Sequence, residues 1–227
     1  MKKFFALFAC ASSLLLFSIS CTDLKEERWR YSSSSDEEPS SSSLEPADCE
    51  VRPHFIDYRD EGEYSFVKIG EQWWMKENLT YTLDIKKGDD YDCPFSAGNY
   101  CLENGYAYKW IVAADTDPAY EGTTDEDAVG RKGICPFGSH LPSKGDWQTL
   151  IDFVGEGSAH KLIGEKYYGG TDDFCFSANN DIGGDFSTWW SASNSGDKAY
   201  VFKLSSGTIE ITEEAKNDIH PIRCILN

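Results

Sequence analysis

The first twenty-one residues constrain most strongly what the rest of the chain can fold into, because they decide the compartment in which it folds. Lys2 and Lys3 form a short positive start, and the run Phe4–Ile19 that follows carries no charge. A basic start, an apolar run shorter than the roughly 20 residues of a membrane span, and small residues at the cleavage point are typical of a signal peptide. The sequence therefore predicts export into a compartment in which disulfides persist.

Cys21 comes directly after the predicted cleavage point, in the string Ser18-Ile19-Ser20-Cys21. This string resembles the bacterial lipobox, with Ser18 in a place where leucine is usual. The resemblance implies that residues 1–20 are removed and that Cys21 receives acyl chains, two or more of which anchor a protein stably. The alternative is an ordinary secretory signal with an incidental cysteine. We expect a lipoprotein of the bacterial outer membrane or cell surface.

A serine-rich stretch separates this start from the globular part. Ser32–Ser35 and Ser40–Ser43 alternate with acidic residues and prolines, a composition that predicts a disordered tether. Lys25-Glu26-Glu27 resembles the short acidic signal that sends some bacterial lipoproteins to the cell surface. The chain thus divides into a signal peptide (1–20), a lipidated cysteine with its tether (21–48) and one domain (49–227).

The chain is acidic, with 39 aspartates and glutamates, 21 lysines and arginines, and a formal net charge of −18. This charge argues against nucleic acid as a partner, because phosphates are bound by lysine and arginine. It also argues against electrostatic docking on anionic lipid, so the acyl chains would hold the membrane contact alone. The acidity itself is explained by solubility.

Eight cysteines occur, of which Cys10 leaves with the signal peptide and Cys21 carries lipid. An even number of remaining cysteines in an exported chain predicts three disulfides among Cys49, Cys93, Cys101, Cys135, Cys175 and Cys224. Six cysteines allow fifteen pairings, among which the count alone does not choose. The chain has no C-x-x-C, which would indicate a redox pair or a zinc site.

Alternating apolar residues predict a strand over Tyr64–Ile69, a turn at Gly70–Glu71 and a return strand over Gln72–Met75. A long looped region rich in glycine, asparagine and aspartate extends from Gly169 to Gly184. Four further strands are predicted near the end of the chain, with a hairpin turn at Ser206–Gly207: Trp189–Ser193, Ala199–Leu204, Thr208–Thr212 and Ile219–Ile225.

The clearest helix begins after Ser143, which can cap it with Asp146 three residues on, and ends at Gly155. Its apolar positions share one face: Trp147, Leu150, Ile151 and Val154. A short helix is predicted around Ser158–Ile163. Few helices together with several antiparallel strands indicate an α+β domain.

Seven short motifs follow one another along this domain: Val67–Leu79, Gly105–Trp110, Cys135–Pro142, Asp146–Leu150, Phe176–Ala178, Trp189–Ser191 and Ile222–Ile225. In this order they resemble the Fibrobacter succinogenes major paralogous domain, over about Asp57 to Asn227. Ser139 departs from the family pattern, where Trp is usual, and Cys175 departs where Gly is usual. The resemblance implies no activity for this chain.

The same order of motifs is similar to C-type-lectin-like and formylglycine-generating-enzyme-like domains. This similarity implies a mixed domain whose two ends meet and whose long loops present a binding face, and it says little about function. In the light of these resemblances Cys135 and Cys224, which both lie in matched motifs, are expected to be bonded. Cys93 and Cys101, close in sequence, are the second expected pair, and Cys49 and Cys175 the third.

Two acidic stretches raise the question of calcium, which binds to several carboxylates in one loop. They comprise Asp89, Asp90 and Asp92, and then Asp115, Asp117, Glu121, Asp125, Glu126 and Asp127. Neither has the EF-hand spacing, and the Glu-Pro-Asn and Gln-Pro-Asp signatures of calcium-dependent sugar binding do not occur. Solvated loop charge is the simpler interpretation. We expect no metal centre and no cofactor, with calcium left as the open alternative.

The sequence contains none of the common catalytic motifs: G-x-S-x-G, G-x-x-x-x-G-K-[ST] and H-E-x-x-H do not occur. Paired carboxylates for glycoside hydrolysis depend on spacing in three dimensions, which a sequence does not give. Formylglycine-generating chemistry needs reactive cysteines, whereas these cysteines are expected in disulfides. We therefore expect a protein that is not an enzyme.

Aromatic rings with amide and carboxylate neighbours bind sugars well. In the doublets Trp73–Trp74 and Trp189–Trp190, alternation along a strand turns one ring inward, so we expect the other to be exposed. The candidates for a ligand-binding face are Trp190, Tyr167, Tyr168, Asp172, Asp173, Asn179, Asn180 and Asn194. The hypothesis is non-catalytic binding of polysaccharide or protein at the cell surface. The alternatives are a self-assembling envelope protein and an enzyme of unknown type.

Overall fold

Short antiparallel strands dominate the domain. The computed structural model describes residues 49–82, 88–93, 100–115, 130–166, 169–178, 186–205 and 207–227. The strands in these ranges are β1 Val51–Asp57, β2 Gly62–Ile69, β3 Gln72–Met75, β4 Tyr91–Asp92, β5 Ala107–Lys109, β6 Ser139–His140, β7 Phe186–Ser195, β8 Lys198–Ser205, β9 Ile209–Ala215, β10 Ile219–His220 and β11 Ile225–Leu226. The helices are α1 Tyr100–Asn104, α2 Trp110–Ala113 and α3 Lys144–Val154. The predicted α+β class with few helices is confirmed.

The strands form three antiparallel sheets. The largest has the order β1-β2-β3-β11-β6, and the other two have the orders β10-β5-β4 and β7-β8-β9. The first and the last strand of the domain therefore lie in the same sheet. Within this sheet, β2 and β3 lie between β1 and β11, so the two ends of the domain are two strands apart.

The predicted hairpin is formed by β2 and β3. Ile69 pairs with Gln72, so Gly70–Glu71 is a two-residue turn. Gly70 has φ +61°, a conformation that glycine adopts without steric cost. A Cβ at this position would lie 3.1 Å from the ring of Phe153 in α3. The end of the hairpin thus packs closely against the helix.

The helix α3 begins and ends where the sequence predicts. Ser143 Oγ accepts a hydrogen bond from Asp146 N (3.1 Å), and Asp146 Oδ2 accepts one from Ser143 N (2.8 Å), which is the reciprocal capping box. Gly155, with φ +92°, ends the helix. The four predicted core positions are buried: Trp147, Leu150, Ile151 and Val154. The helix predicted around Ser158–Ile163 is present only as a 3₁₀ turn, Ala159–Lys161.

Two hydrophobic cores lie on opposite sides of the strands β2 and β7. The first contains Phe66 of β2 and Trp190 of β7, and the second, under α3, contains the next residue of β2, Val67, and Trp189 of β7. Since successive side chains of a strand point to opposite faces, a strand supplies both cores only if both of its faces are covered. These strands are therefore buried on both sides.

The predicted strand Ile219–Ile225 is wrong as a single element, because the chain forms two short strands in different sheets. Ile219 of β10 pairs with Lys109 of β5, whereas Ile225 of β11 pairs with Trp74 of β3 and with β6. Pro221 lies between them and has no N–H to donate to a ladder. The carbonyl of Pro221 accepts a hydrogen bond from Trp190 N (3.1 Å) at the point where the chain passes from one sheet to the other.

Three disulfides join the described segments, and they are the three pairs expected from the sequence. Cys135–Cys224 links the segment before β6 to the segment before β11, and both sulfurs lie in the first core. Cys93–Cys101 joins the residue after β4 to the second residue of α1. Cys49–Cys175 connects the start of the domain to the loop before β7.

Several predictions fall on residues outside the described ranges. They are the signal peptide, the lipidation site Cys21, the tether, and the acidic residues from Asp117 to Asp127. All described residues lie in one compact unit, Ser43–Asn227. None of the helices in the described ranges is both long and apolar enough to cross a membrane.

Candidate binding surface

The second tryptophan doublet is turned to opposite faces of β7, as predicted, but neither ring is exposed. Trp189 and Trp190 are 1% and 0% exposed. Trp190 Nε1 donates to the carbonyl of Tyr108 (2.6 Å) inside the first core. The expectation of one exposed ring is wrong here, because a core covers each face of the strand. Trp190, a predicted binding residue, is not at the surface.

The first doublet follows the prediction more closely. Trp74 is fully buried in the second core, with its ring centroid 4.4 Å from that of Trp147 in α3. Trp73 points to the other face and is half-buried. The guanidinium carbon of Arg52 lies 3.9 Å from the centroid of the Trp73 ring. One ring of this doublet therefore reaches the surface, where an arginine covers it.

The polar candidates divide into buried and exposed residues. Asn194 is 2% exposed, because its pairing with Ala199 turns it towards the first core. Asp172 is 8% exposed. Their predicted places on a binding face are thus wrong, whereas Asp173 is exposed. The other four candidates lie outside the described ranges: Tyr167, Tyr168, Asn179 and Asn180.

Asp172 is turned inward by a tightly held loop. Its Oδ1 accepts from Ser177 N (2.7 Å) and its Oδ2 from Ser177 Oγ (2.6 Å). Burial raises the pKa of Asp172 in spite of these bonds. Asp172, Cys175 and Ser177 have φ of 48°, 54° and 51°, a left-handed conformation that costs about 1–3 kcal/mol for residues other than glycine. The surroundings must therefore hold this loop in place.

Arg223 holds the loop from inside. Its Nε donates to Asn78 Oδ1 (2.9 Å), and its terminal nitrogens donate to the carbonyls of Phe176 and Ser177. Its guanidinium carbon lies 4.3 Å from the ring of Phe176 and 5.1 Å from that of Trp189, whose Nε1 also donates to Asn78 Oδ1 (2.7 Å). Complete burial lowers the pKa of Arg223 to about 10, so it stays charged at neutral pH. Residues from four of the sequence motifs thus meet as interior structure.

An aromatic pair that reaches the surface is formed by α3 and the same loop. Phe153 of α3 is 55% exposed, and its ring packs edge-on against the half-buried Phe174, with 5.6 Å between the centroids. Asp173, next to Phe174, is exposed, and so is Glu71 in the hairpin turn that Phe153 covers. We name these four residues the Phe153–Phe174 surface. It combines apolar rings with carboxylates in the predicted looped region.

Phe153 was not among the predicted binding residues, although the sequence contains a signal for it. It lies outside the apolar stripe of α3, between the exposed Asp152 and the buried Val154. A large aromatic on the polar side of an amphipathic helix is an apolar residue that the core does not require. Phe174 has no comparable signal, because its position depends on how the loop is held.

A serine, a histidine and an aspartate meet at the start of α3. Ser143 Oγ donates to Asp146 Oδ2 (2.7 Å), His140 Nε2 lies 3.7 Å from the same oxygen, and His140 Nδ1 lies 2.7 Å from Asn227 Oδ1. Burial opposes the charge on His140, but the bonds to Asp146 and Asn227 outweigh it and raise the pKa of His140. The serine is bonded to the carboxylate and not to the imidazole. This arrangement caps a helix and does not activate the hydroxyl as a nucleophile.

The described ranges contain no group of three or more His, Cys, Asp and Glu side chains that could hold a metal ion. Asp89, Asp90, Asp92 and Asp115 of the two acidic stretches belong to these ranges. Asp92 Oδ1 instead accepts from the backbone N of Cys93 (2.7 Å). No part of the Phe153–Phe174 surface is arranged as a cation site.

Comparison with known families supports the resemblance seen in the motifs. Residues 67–167 match the family model described as Fibrobacter succinogenes major domain. The first four motifs lie within this stretch. The last three motifs, which contain Phe176, Trp189 and Arg223, follow it in the sequence. The chain has no significant match among curated proteins or solved structures. Residues 67–167 therefore form a region that is similar to the Fibrobacter succinogenes major domain family.

Proposed function

We propose that this protein is a surface-displayed, non-catalytic binding lipoprotein whose ligand is a polysaccharide. The observation that carries the proposal is the exposed ring of Phe153, packed against Phe174 in a loop that the Cys49–Cys175 disulfide fixes. Sugar rings bind to aromatic faces and form hydrogen bonds with neighbouring carboxylates, such as those of Asp173 and Glu71. Because the loop is held before a ligand arrives, binding has a smaller cost in conformational entropy.

Retention on insoluble polysaccharides tests this proposal. The fragment 43–227, which contains all of the described residues, would be folded under oxidising conditions. We expect Phe153→Ala to abolish retention and Tyr58→Ala to leave it unchanged. Tyr58 is the matched control, since it is 70% exposed, is aromatic and lies outside the Phe153–Phe174 surface. Parallel samples with calcium and with EDTA determine whether calcium takes part.

The other functions give different results in the same experiment. Retention that is unaffected by Phe153→Ala would overturn the proposed surface. Release of soluble sugars from the retained polymer would favour an enzyme. No retention on any polysaccharide, together with concentration-dependent assembly in sedimentation equilibrium, would favour a structural envelope protein.

Display at the cell surface rests on the N-terminal sequence. Lys2 and Lys3, the apolar run and Cys21 support export and lipidation, and the serine-rich tether supports a domain held away from the membrane. We expect incorporation of labelled palmitate into the wild-type chain and none into Cys21→Ser. Protease treatment of intact cells would release the domain if it faces outward. An unlabelled wild-type chain would favour an ordinary secretory signal.

A C-type-lectin-like fold is part of the same proposal. It is supported by the α+β content and by the presence of β1 and β11 in one sheet. It is also supported by the disulfide Cys135–Cys224, which joins the segment before β6 to the segment before β11. An experimental structure would test it through the strand order. A different connection of β3, β11 and β6 from that of C-type-lectin-like domains would reject the relationship.

A further inference from the structure

Arg52 and Trp73 form a second surface feature of the first sheet, on the face opposite to α3. Trp74 packs against Trp147 of α3, so the neighbouring Trp73 points to the other face. Arg52 is exposed, is directly opposite Phe66 in the pairing of β1 with β2, and extends over the ring of Trp73. The two side chains thus form a stacked pair at the surface.

Stacking leaves the hydrogen-bonding capacity of the arginine unused. The guanidinium carbon lies 3.9 Å from the centroid of the indole ring, and an arginine stacked on a ring keeps its N–H groups free to donate hydrogen bonds. Across the described segments, the Arg52 side chain has no carboxylate partner and no hydrogen-bond acceptor, whereas the neighbouring Lys68 pairs with Glu50 at 3.9 Å. The chain has 39 acidic and 21 basic side chains, so an exposed arginine without a carboxylate is informative.

We propose that Arg52, oriented by Trp73, binds the carboxylate of a uronic acid residue in the polysaccharide ligand. A guanidinium fork matches a carboxylate in a bidentate pair, and the indole keeps that fork oriented before binding. This proposal rests on the proposed function and adds the chemical class of the ligand. A polymer that crosses the end of the β2–β3 hairpin would meet Phe153 on one face of the sheet and Arg52 on the other.

The net charge of the chain narrows the ligand class further. A formal charge of −18 repels a dense polyanion. Scattered uronic acids are compatible with it, because repulsion is screened beyond about 8 Å at physiological ionic strength while a contact pair persists. The ligand is therefore a mostly neutral polysaccharide with isolated carboxylates.

Isothermal titration calorimetry with a matched pair of polymers tests this assignment. The full chain, purified in a detergent without a sugar headgroup, is titrated with a glucuronoxylan and with the same polymer after its carboxyl groups have been reduced to alcohols. We expect the unreduced polymer to bind about tenfold more tightly, as charge-assisted hydrogen bonds allow. Arg52→Gln should remove the difference, and Arg52→Lys should restore part of it.

Lys198→Gln is the control for charge, because Lys198 is exposed on β8 of another sheet and the variant should keep the difference. Equal affinity for both polymers, with binding still dependent on Phe153, would overturn the uronic acid inference and leave the binding function intact. A difference that persists in Arg52→Gln would also overturn it. No binding of either polymer or of any neutral polysaccharide would overturn both proposals.

Discussion

The interior around Arg223 and the Phe153–Phe174 surface use aromatic side chains in opposite ways, although both include a phenylalanine of the same loop. Phe176 is fully buried under the guanidinium of Arg223, and Phe174, only two residues earlier, is half-buried beside an exposed phenylalanine. The buried rings belong to the sequence motifs, and the exposed pair lies between them. The motif residues around Arg223 therefore specify packing, whereas both rings of the Phe153–Phe174 surface come from the chain between two motifs.

The largest expected effect concerns the disulfide of the interior. Replacing Cys135 and Cys224 by serine opens a loop with a sequence separation of 89 residues, for which the chain-entropy model gives up to about 4.6 kcal/mol. The same change at Cys93 and Cys101, separated by 8 residues, gives about 2.5 kcal/mol. Urea unfolding of the two variants measures the difference. Equal losses of stability would contradict the dependence of the stabilisation on loop length.

The second prediction compares two arginines. Arg223→Met leaves the carbonyls of Phe176 and Ser177 without donors inside the protein, so we expect a loss of about 3 kcal/mol in the free energy of unfolding. Arg52→Met removes an exposed side chain stacked on a ring and should cost at most about 1 kcal/mol. Urea unfolding at neutral pH gives both values. A loss below about 1 kcal/mol for Arg223→Met would contradict its role as the structural centre of the motifs.

The third prediction concerns pH. Burial lowers the pKa of His220 to about 4, so between about pH 6.5 and pH 4 the unfolded chain takes up a proton that the folded chain does not. Stability should therefore fall as the pH falls through this window. The charge of Asp218 offsets part of the effect of burial on this pKa, and we expect a loss of about 1–2 kcal/mol. Urea unfolding at about pH 7.5 and about pH 5 measures it, and His220→Gln should flatten the dependence.

His140 provides the control of opposite sign. Its pKa is raised, so its contribution is present below about pH 6.5 and is lost as the pH rises through the folded value. The pKa of Asp146 is lowered in spite of burial, because His140 and Ser143 are bonded to it, so its contribution is lost only under acid conditions. His140→Gln should therefore steepen the loss of stability towards about pH 5 by at most about 1 kcal/mol. A flatter curve for this variant would contradict the assignment.

The smallest expected effect on stability belongs to the binding surface. Phe153→Ala removes an exposed ring and one edge-on aromatic contact, which should lower the free energy of unfolding by about 0.5 kcal/mol. The same variant should lose polysaccharide retention. Thermal and urea unfolding beside the retention assay separate the two effects. A loss of several kcal/mol would place Phe153 with the interior residues and remove the contrast between the two regions.

The elements predicted correctly are those whose signals are local. Ser143, Asp146 and Gly155 determine the ends of α3 through contacts within a few residues, and the turn at Gly70–Glu71 needs only a left-handed glycine between two alternating strands. The disulfide between Cys135 and Cys224 could be expected because both cysteines lie in matched motifs. Helix ends and turns can be predicted from neighbouring residues, and this disulfide could be predicted from the motifs that contain its cysteines.

The predictions that failed depend on what covers a strand or a loop. The alternation of side chains along a strand correctly predicted that Trp189 and Trp190 point to opposite faces. The sequence of β7 does not indicate whether its second face is covered by solvent or by another core. The sequence around Asp172 predicts an exposed loop residue. Its inward orientation, towards Ser177, depends on the left-handed backbone conformation of the loop. The break at Pro221 was visible in the sequence, since proline cannot donate to a central ladder.

The bond between Cys49 and Cys175 also determines how the domain responds to force. A pull on the chain ahead of Cys49 reaches the domain immediately before β1, an edge strand whose register with β2 shifts between Arg52 and Phe55. An edge strand loaded from its end unzips one hydrogen bond after another. The sulfur bridge carries the load past β1 to the loop at Cys175, beside the carbonyls that Arg223 binds. We expect the intact domain to resist tension as one body, and with this bridge reduced we expect β1 to detach first.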